Sequence, residues 1–251
     1  SRQLSLFFKL YINDILKNGE YVIENNGEKS TIRNAVICYS GGDDLFIVGA
    51  WNEVIELAVD IRNKFALYTE NTLTLSAGIG IYRHDYPISV IAGEVANMED
   101  MSKSKAGKDS VTLLSDGVKH AEKGQEGFDL EINDGTFTWD EFIKEVVGEK
   151  YKSIQEFFDD AGERGMNFLY NQDEKINFAR VVYILSRLEP DKKDQALEKE
   201  KYQKFSQNMY KWIREAGTKY MGKDARQLKV AMNMYSYMRR DRYNKEDGGI
   251  E

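Results

Sequence analysis

Residues 35–50 read AVICYSGGDDLFIVGA: two apolar runs broken only by a short glycine- and aspartate-rich tip. A reversal this short requires an antiparallel hairpin, because parallel strands need a crossover of about a dozen residues or more. Gly41 and Gly42 permit positive φ and close backbone approach to a ligand. Asp43 and Asp44 then place two like charges side by side. Gly and Asp are ordinary turn formers, so one reading is a simple turn. The other is a pair of hard oxygen donors. Magnesium takes one or two carboxylates and completes its shell with phosphates and water. Two such ions can activate an attacking hydroxyl and stabilise a leaving pyrophosphate. Without a cation the adjacent carboxylates repel, and one tends to keep its proton.

The hairpin sits in an alternating pattern. Leu4, Phe7, Phe8, Tyr11, Ile12 and Ile15 have helical spacing over residues 2–17. IRNAVICY then reads as a buried strand and LFIVGA as its partner. Residues 51–69 form an amphipathic helix, and TLTLSAGIGIYR a strand, with Ser76 and Gly78 as small residues that leave room for a ligand. Pro87 opens a helix that stops near Gly107, and DSVTLL is a further strand. FDLEINDGTFTW reads as an edge hairpin with an Asp-Gly turn. From about residue 138 the spacing is helical: residues 139–161, 175–190, 194–217 and 225–240. The expected fold class is α+β: a ferredoxin-like domain over 1–137, its first strand lying before Ser1, then an all-α bundle over 138–251.

Composition narrows the function classes. Residues 1–140 carry 13 Lys and Arg against 22 Asp and Glu; residues 141–251 carry 22 against 20. An acidic first half argues against a broad nucleic-acid face there and allows a divalent-cation site. The basic, aromatic stretch over residues 219–245 could touch RNA or an acidic partner, but reads more simply as a packed helix with a solvated basic side. No apolar run is long enough to cross a membrane, and the single Cys38, in AVICY, suits a small core residue in a reducing compartment. Lys103, Lys105 and Lys108 cluster at a helix end, where they could meet a triphosphate or the helix dipole. His84-Asp85 has too few companion ligands for a metal phosphohydrolase site, since His120 is the other histidine; Glu94 and Glu99 read as a solvated helix face.

YSGGDDLF, SAGIG and SKSKAGKDSV, in this order, resemble the second palm domain of the large subunit of type III CRISPR effector complexes, of the III-A (Csm) kind; INFARVVYILSR and YSYMRR resemble its last domain. The resemblance implies a magnesium-dependent nucleotidyltransferase that converts ATP into cyclic oligoadenylates when target RNA binds. It implies that Asp43 and Asp44 hold Mg2+ or Mn2+ and activate a ribose 3′-hydroxyl. Ser40, Gly41, Gly42 and Ser76 would lie at the nucleotide, and Lys105 and Lys108 at its phosphates. It implies a prokaryotic cytoplasmic complex with other Csm subunits, CRISPR RNA and target RNA, and no membrane. Family members also carry an HD nuclease domain, a first palm and an Asp-bearing strand, all expected in an N-terminal part of the same protein outside this chain. This piece alone is expected to have little or no synthase activity.

Two other classes compete. A GGDEF-type diguanylate cyclase would put Glu at position 44, with Arg at 32 and Asp at 35; the chain has Asp44, Ile32 and Ala35. A non-catalytic assembly module would keep GGDD as a structural turn, with the helices docking subunits and RNA.

Overall fold

The computed structural model describes residues 2–24, 31–115, 119–123, 129–133, 135–161, 183, 185–187, 196–214 and 222–246. Most of the helix expected over 175–190 lies outside them. The chain divides into two compact units: Ser1–Leu113 with Thr136–Trp139, and Leu114–Gly135 with Asp140–Glu251.

The first unit opens on helix α1, built from Arg2–Leu6, a π-helical turn Phe7–Tyr11, and Ile12–Lys17. Strands β1 (Ala35–Gly41) and β2 (Asp44–Gly49) form the expected antiparallel hairpin, and helix α2 (Trp51–Tyr68) follows. Phe7, Phe8, Ile12 and Ile15 of α1 meet Leu57, Ile61 and Phe65 of α2 in one cluster, against which Ala35, Ile37, Leu45 and Ile47 of the hairpin pack. Period-2 alternation therefore turns only one hairpin face inward. Val36 (67% exposed) and Tyr39 point out, so β1 is half-buried rather than buried as its apolar run predicts. Cys38 is likewise exposed, not in the core. The register shifts between Ile37 and Tyr39, making Cys38 the extra residue of a β-bulge, without a partner across the ladder.

Arg33 lies between α1 and β1, 6% exposed. Its guanidinium pairs with Glu56 and, at 2.8 Å, with Asp60, both buried on α2, and donates to the Tyr21 carbonyl at 2.5 Å. The same carboxylates accept the backbone N–H groups of Glu20, Tyr21 and Ile23. One buried charge cluster thus fixes the segment after α1.

Strand β3 (Ala77–Ile79) pairs in parallel with β4 (Ser110–Leu113), and β4 pairs antiparallel with β7 (Thr136–Thr138). Helix α3 (Ile88–Ser104) provides the crossover, entered through Pro87 in extended backbone. β3 is shorter than its apolar run because its ladder with β4 spans Ala77–Ile79. A chain of buried hydroxyls crosses this sheet: Ser102 donates to the Ala77 carbonyl at 2.7 Å, and successive contacts of 2.7 and 2.8 Å link Ser102, Thr112 and Thr136. Buried Trp139 donates its indole N–H to the Leu75 carbonyl at 2.8 Å.

The two sheets of this unit are not hydrogen-bonded to each other among the described residues. A cavity separates them, lined on one side by Leu45, Phe46 and Ile47 of β2 and on the other by Ala77, Gly78 and Ile79 of β3.

The expected Asp-Gly hairpin is replaced by another arrangement. The strand before Gly135, β6 (Asp129–Asn133), pairs with β5 (Lys119–Lys123), whereas the strand after it, β7, pairs with β4. Gly135 has φ +75°, so it supports a turn, but its two arms join different sheets. Burial of Thr136 and Phe137 against β4 outweighs the local turn signal.

Among the described residues, the second unit is helical apart from β5 and β6. Helix α4 combines Trp139–Glu141, π-helical Phe142–Tyr151 and Lys152–Ala161; α5 spans Ala196–Ile213 and α6 Lys223–Glu246. Phe157 stacks on Phe205 at 4.1 Å, and Phe158 packs on Phe205 and Tyr235. Leu228, Val230, Ala231, Met232, Met234 and Tyr235 of α6 are buried, so the aromatic and methionine-rich stretch near the end is core. Buried Lys150 pairs with Asp224 at 2.9 Å and lies 5.1 Å from the Trp212 ring centre.

Candidate functional site

The GGDD tip is a two-residue turn, with Gly41 opposite Asp44 in the ladder. Gly42 takes φ +68°, the positive value that a two-residue hairpin turn with glycine first requires. A Cβ there would meet nothing within 4 Å, so backbone conformation rather than space selects glycine. At Gly41 a Cβ would fall 2.6 Å from the Tyr39 hydroxyl. Asp43 stands in the turn and Asp44 opens β2; both are exposed.

Asp43 lines the cavity between β2 and β3, about 160 Å³ in volume, together with Ser76 just before β3 and Glu99 of α3. The chain brings these three together from a hairpin turn, a strand end and a helix. Helix α3 reaches the cavity because Gly78 lets it come close: a Cβ at Gly78 would lie 2.4 Å from the Val95 carbonyl and 2.6 Å from the Glu99 nitrogen. The expectation that Gly78 leaves room for a ligand is thus corrected, since α3 uses that room. Ser76 does face the cavity.

Glu99 and Lys103 carry more than sequence reasoning gave them. Glu99 is half-buried at the cavity, not on a solvated face, and accepts an ion pair from Lys103 at 2.8 Å. The Glu99 hydrogen bond raises the Lys103 ammonium above its ordinary value; partial burial opposes this, and the charges of Glu99, Asp100 and Asp44 add to it. Lys103 therefore sits in the field of the GGDD turn. The i,i+4 spacing of Glu99 and Lys103 was a legible signal for their pairing, though not for the cavity.

Ser40, Lys105 and Lys108 lie outside the cavity lining. The Ser40 hydroxyl donates to the Phe8 carbonyl at 2.6 Å, tying β1 to α1. Lys105 caps α3, and Lys108 lies in the following turn with φ +53°. Glu94 accepts the Tyr86 hydroxyl, and Asp85 pairs with Arg83 beside His84 on the surface.

No group of three or more His, Cys, Asp or Glu among the described residues is arranged to hold a metal. Asp43 and Asp44 do supply the one or two carboxylates magnesium takes from protein when phosphates complete its shell. Of the two, Asp43 lines the cavity and Asp44 does not, so a substrate-completed ion there would rest on Asp43, with Asp44 next to it in the chain.

Residues 1–112 match the family model for the second palm domain of Cas10/Cmr2, and residues 155–241 that for the second helical domain of the CRISPR RNA silencing complex subunit Cmr2. The CRISPR system single-strand-specific deoxyribonuclease Cas10/Csm1 (subtype III-A) of Mycobacterium tuberculosis is 38% identical over 247 residues, covering 96% of this chain and 27% of that protein. Its counterpart in Streptococcus thermophilus is 33% identical over 247 residues, covering 94% and 27%. The crystal structure of a Csm1–Csm4 cassette in complex with pppApA aligns with a TM-score of 0.55 at 20% identity, over 94% of this chain and 32% of that one.

These matches define a palm domain followed by a helical domain. The chain belongs to the Cas10/Csm1 family of type III-A CRISPR systems. It spans about a quarter of the length of the curated relatives it matches (27%).

Proposed function

We propose that the protein containing this chain synthesises cyclic oligoadenylates from ATP within a type III-A complex activated by target RNA. The observation that carries this reading is the convergence of Asp43 and Ser76 on one cavity beside a GGDD turn. A relative of the same fold is described in complex with pppApA, a linear dinucleotide still bearing its triphosphate. That is the species expected after one 3′–5′ joining step.

Asp43 and Asp44 would hold Mg2+ or Mn2+. When bound, the ion would supply Lewis acidity for the joining step. In each step a ribose 3′-oxygen attacks the α-phosphorus of the next ATP. Its proton is lost, the bond to the bridging oxygen breaks, and pyrophosphate leaves. A final attack of the terminal 3′-oxygen on the α-phosphorus of the chain's own 5′-triphosphate closes the ring, gives the proton to water and releases the last pyrophosphate. Gly41 and Gly42 keep the turn free of side chains beside the nucleotide, and Ser76 presents a hydroxyl toward its base. Lys105 and Lys108 would contact the phosphates, beside Lys103, which feels the charge of Asp44.

The finer fold reading belongs here too. A strand from a part of the protein preceding α1, paired between β2 and β3, would occupy the apolar part of the cavity lined by Leu45, Ile47, Leu57, Ile61 and Ile79, leave the side at Asp43 and Ser76 to the nucleotide, and complete the β-α-β-β-α-β order of a ferredoxin-like palm. Among the described residues the two sheets share no strand pairing, which supports it. Such a strand could bring a further carboxylate beside Asp43. We divide the chain functionally into a palm over 1–137 and a helical domain over 138–251, which docks other Csm subunits and the RNAs in the cytoplasm. The deoxyribonuclease activity in the relatives' names would belong to the HD nuclease domain that the resemblance places outside this chain.

The full-length protein, in its RNA-activated complex, is supplied with ATP, GTP or both in magnesium, and products are identified by mass spectrometry. Rings of AMP are expected. Cyclic di-GMP would replace this reading with a diguanylate cyclase, and no nucleotide product would favour an assembly module.

A further inference from the structure

Three successive residues before β4 have positive φ: Gly107 at +85°, Lys108 at +53° and Asp109 at +46°. L-residues enter this region singly and at a cost, so two non-glycine residues in a row need restraint from their surroundings. The restraints are specific. The Lys108 N–H donates to the Lys105 carbonyl at 2.9 Å, and the Ser110 hydroxyl donates to the Lys108 carbonyl at 2.6 Å. The Trp139 N–H donates to the Asp109 carbonyl at 3.0 Å. From α2, Arg62 grips the Asp109 carboxylate with both arms of its guanidinium: Nε to Oδ1 at 3.2 Å and Nη2 to Oδ2 at 2.5 Å.

The sheet register places this turn. β3 and β4 are parallel, with Ala77 opposite Val111. The residues leading into β4 therefore lie at the same end of the sheet as Ser76, which leads into β3 and lines the cavity with Asp43. Arg62 is absent from that lining, while Ala58 and Ile61 of the same helix are part of it.

We propose that Arg62 is a positioning residue of the nucleotide site: through its two-armed hold on Asp109 it sets the turn that aims Lys108 at the triphosphate. This rests on the ATP reading above. A planar guanidinium matches a carboxylate at two points and fixes direction as well as distance, which a lysine ammonium does not. Arg62 acts on substrate through Lys108 alone.

The test uses the full-length protein in its RNA-activated complex, with steady-state kinetics on ATP. Arg62→Ala is expected to raise KM about tenfold and to leave kcat within about twofold, the pattern of lost substrate binding. Arg62→Lys is expected to fall between Arg62→Ala and wild type, and serves alone if the alanine variant does not fold. Lys108→Ala is expected to match Arg62→Ala, and the double variant to be no worse than Lys108→Ala, because both changes remove one contact. An unchanged KM in Arg62→Ala, or in Arg62→Lys where the alanine variant does not fold, overturns the proposal. So do effects of Arg62 and Lys108 that multiply. Affinity for a non-hydrolysable ATP analogue separates this proposal from the functional reading. If synthesis survives loss of Asp43 and Asp44 while Arg62→Ala still weakens the analogue about tenfold, only the catalytic reading fails. If the aspartates are required and analogue affinity is indifferent to Arg62, only the positioning role fails.

Discussion

Gly78 of β3 faces the Val95 carbonyl of α3 so closely that a Cβ on Gly78 would lie 2.4 Å from that oxygen. Backbone is the obstacle, so no rotamer change relieves it. Gly78→Ala is expected to push α3 off the sheet and to cost about 1–3 kcal/mol, the range of overpacking changes. Thermal unfolding measures this. Circular dichroism of the folded variant should stay helical, since the helix moves without melting.

Arg33 neutralises two buried carboxylates, Glu56 and Asp60. Arg33→Ala strands both and is expected to cost about 3–5 kcal/mol, the range for breaking a buried pair from one side. The loss has a pH signature. Burial already pushes the Glu56 carboxyl above its ordinary value, against hydrogen bonds from Ile23 and Arg33 and the Arg33 charge. Without Arg33 it rises further. A carboxyl raised in the folded state favours folding while protonated, and that contribution is lost as pH rises through its folded value. Denaturant unfolding should therefore find Arg33→Ala less destabilised at pH 5 than at pH 8; equal destabilisation would contradict the account.

Glu145 and Lys223 of the second unit give the opposite dependence. Burial works to raise the Glu145 carboxyl, but hydrogen bonds from Lys223 and Gln227 and the Lys223 charge outweigh it and hold it below 4.5. The matching contacts hold Lys223 above 10.5 despite its burial. The pair's contribution is present above the ordinary Glu value and lost as pH falls through the lowered one. At the alkaline end it is lost as pH rises through the raised Lys223 value. Both side chains are over a third exposed, so the contribution is under about 1 kcal/mol after solvent screening. The stability difference between wild type and Glu145→Gln should be flat near neutrality and shrink below pH 4.5.

Cys38 reads as a core residue in sequence but is exposed at a bulge, so a maleimide should label it in the folded protein without denaturant. Labelling only after denaturation would contradict the bulge.

The sequence was most legible where periodicity and pairing agree. The helix expected over 51–69 is Trp51–Tyr68, and the hairpin around GGDD was specified by its two-residue turn. Legibility failed where a distant partner decides. The Asp-Gly signal at 134–135 promises a local hairpin, but burial of Phe137 beside β4 takes that strand into another sheet. Gly78 reads equally well as room for a ligand or for a helix, and only the approach of α3 chooses. At the site, Asp43 and Ser76 were both named from sequence. Glu99 was not, because its place at the cavity depends on how closely α3 lies on β3. The bulge at Cys38 and the left-handed turn at Lys108 and Asp109 are set by register and by the hold of Arg62, which a single sequence does not display.

The central claim is that Asp43 and Asp44 hold the ion that drives nucleotide joining. The direct test replaces both by asparagine in the full-length protein, assembles the complex, adds target RNA and ATP, and measures oligoadenylate formed per minute. Asparagine keeps the shape of the turn and removes the charge. The account predicts synthesis reduced at least about a thousandfold, as when catalytic electrostatic groups are lost, with complex assembly and target RNA binding unchanged. Synthesis within about twofold of wild type would contradict it and leave GGDD as a turn.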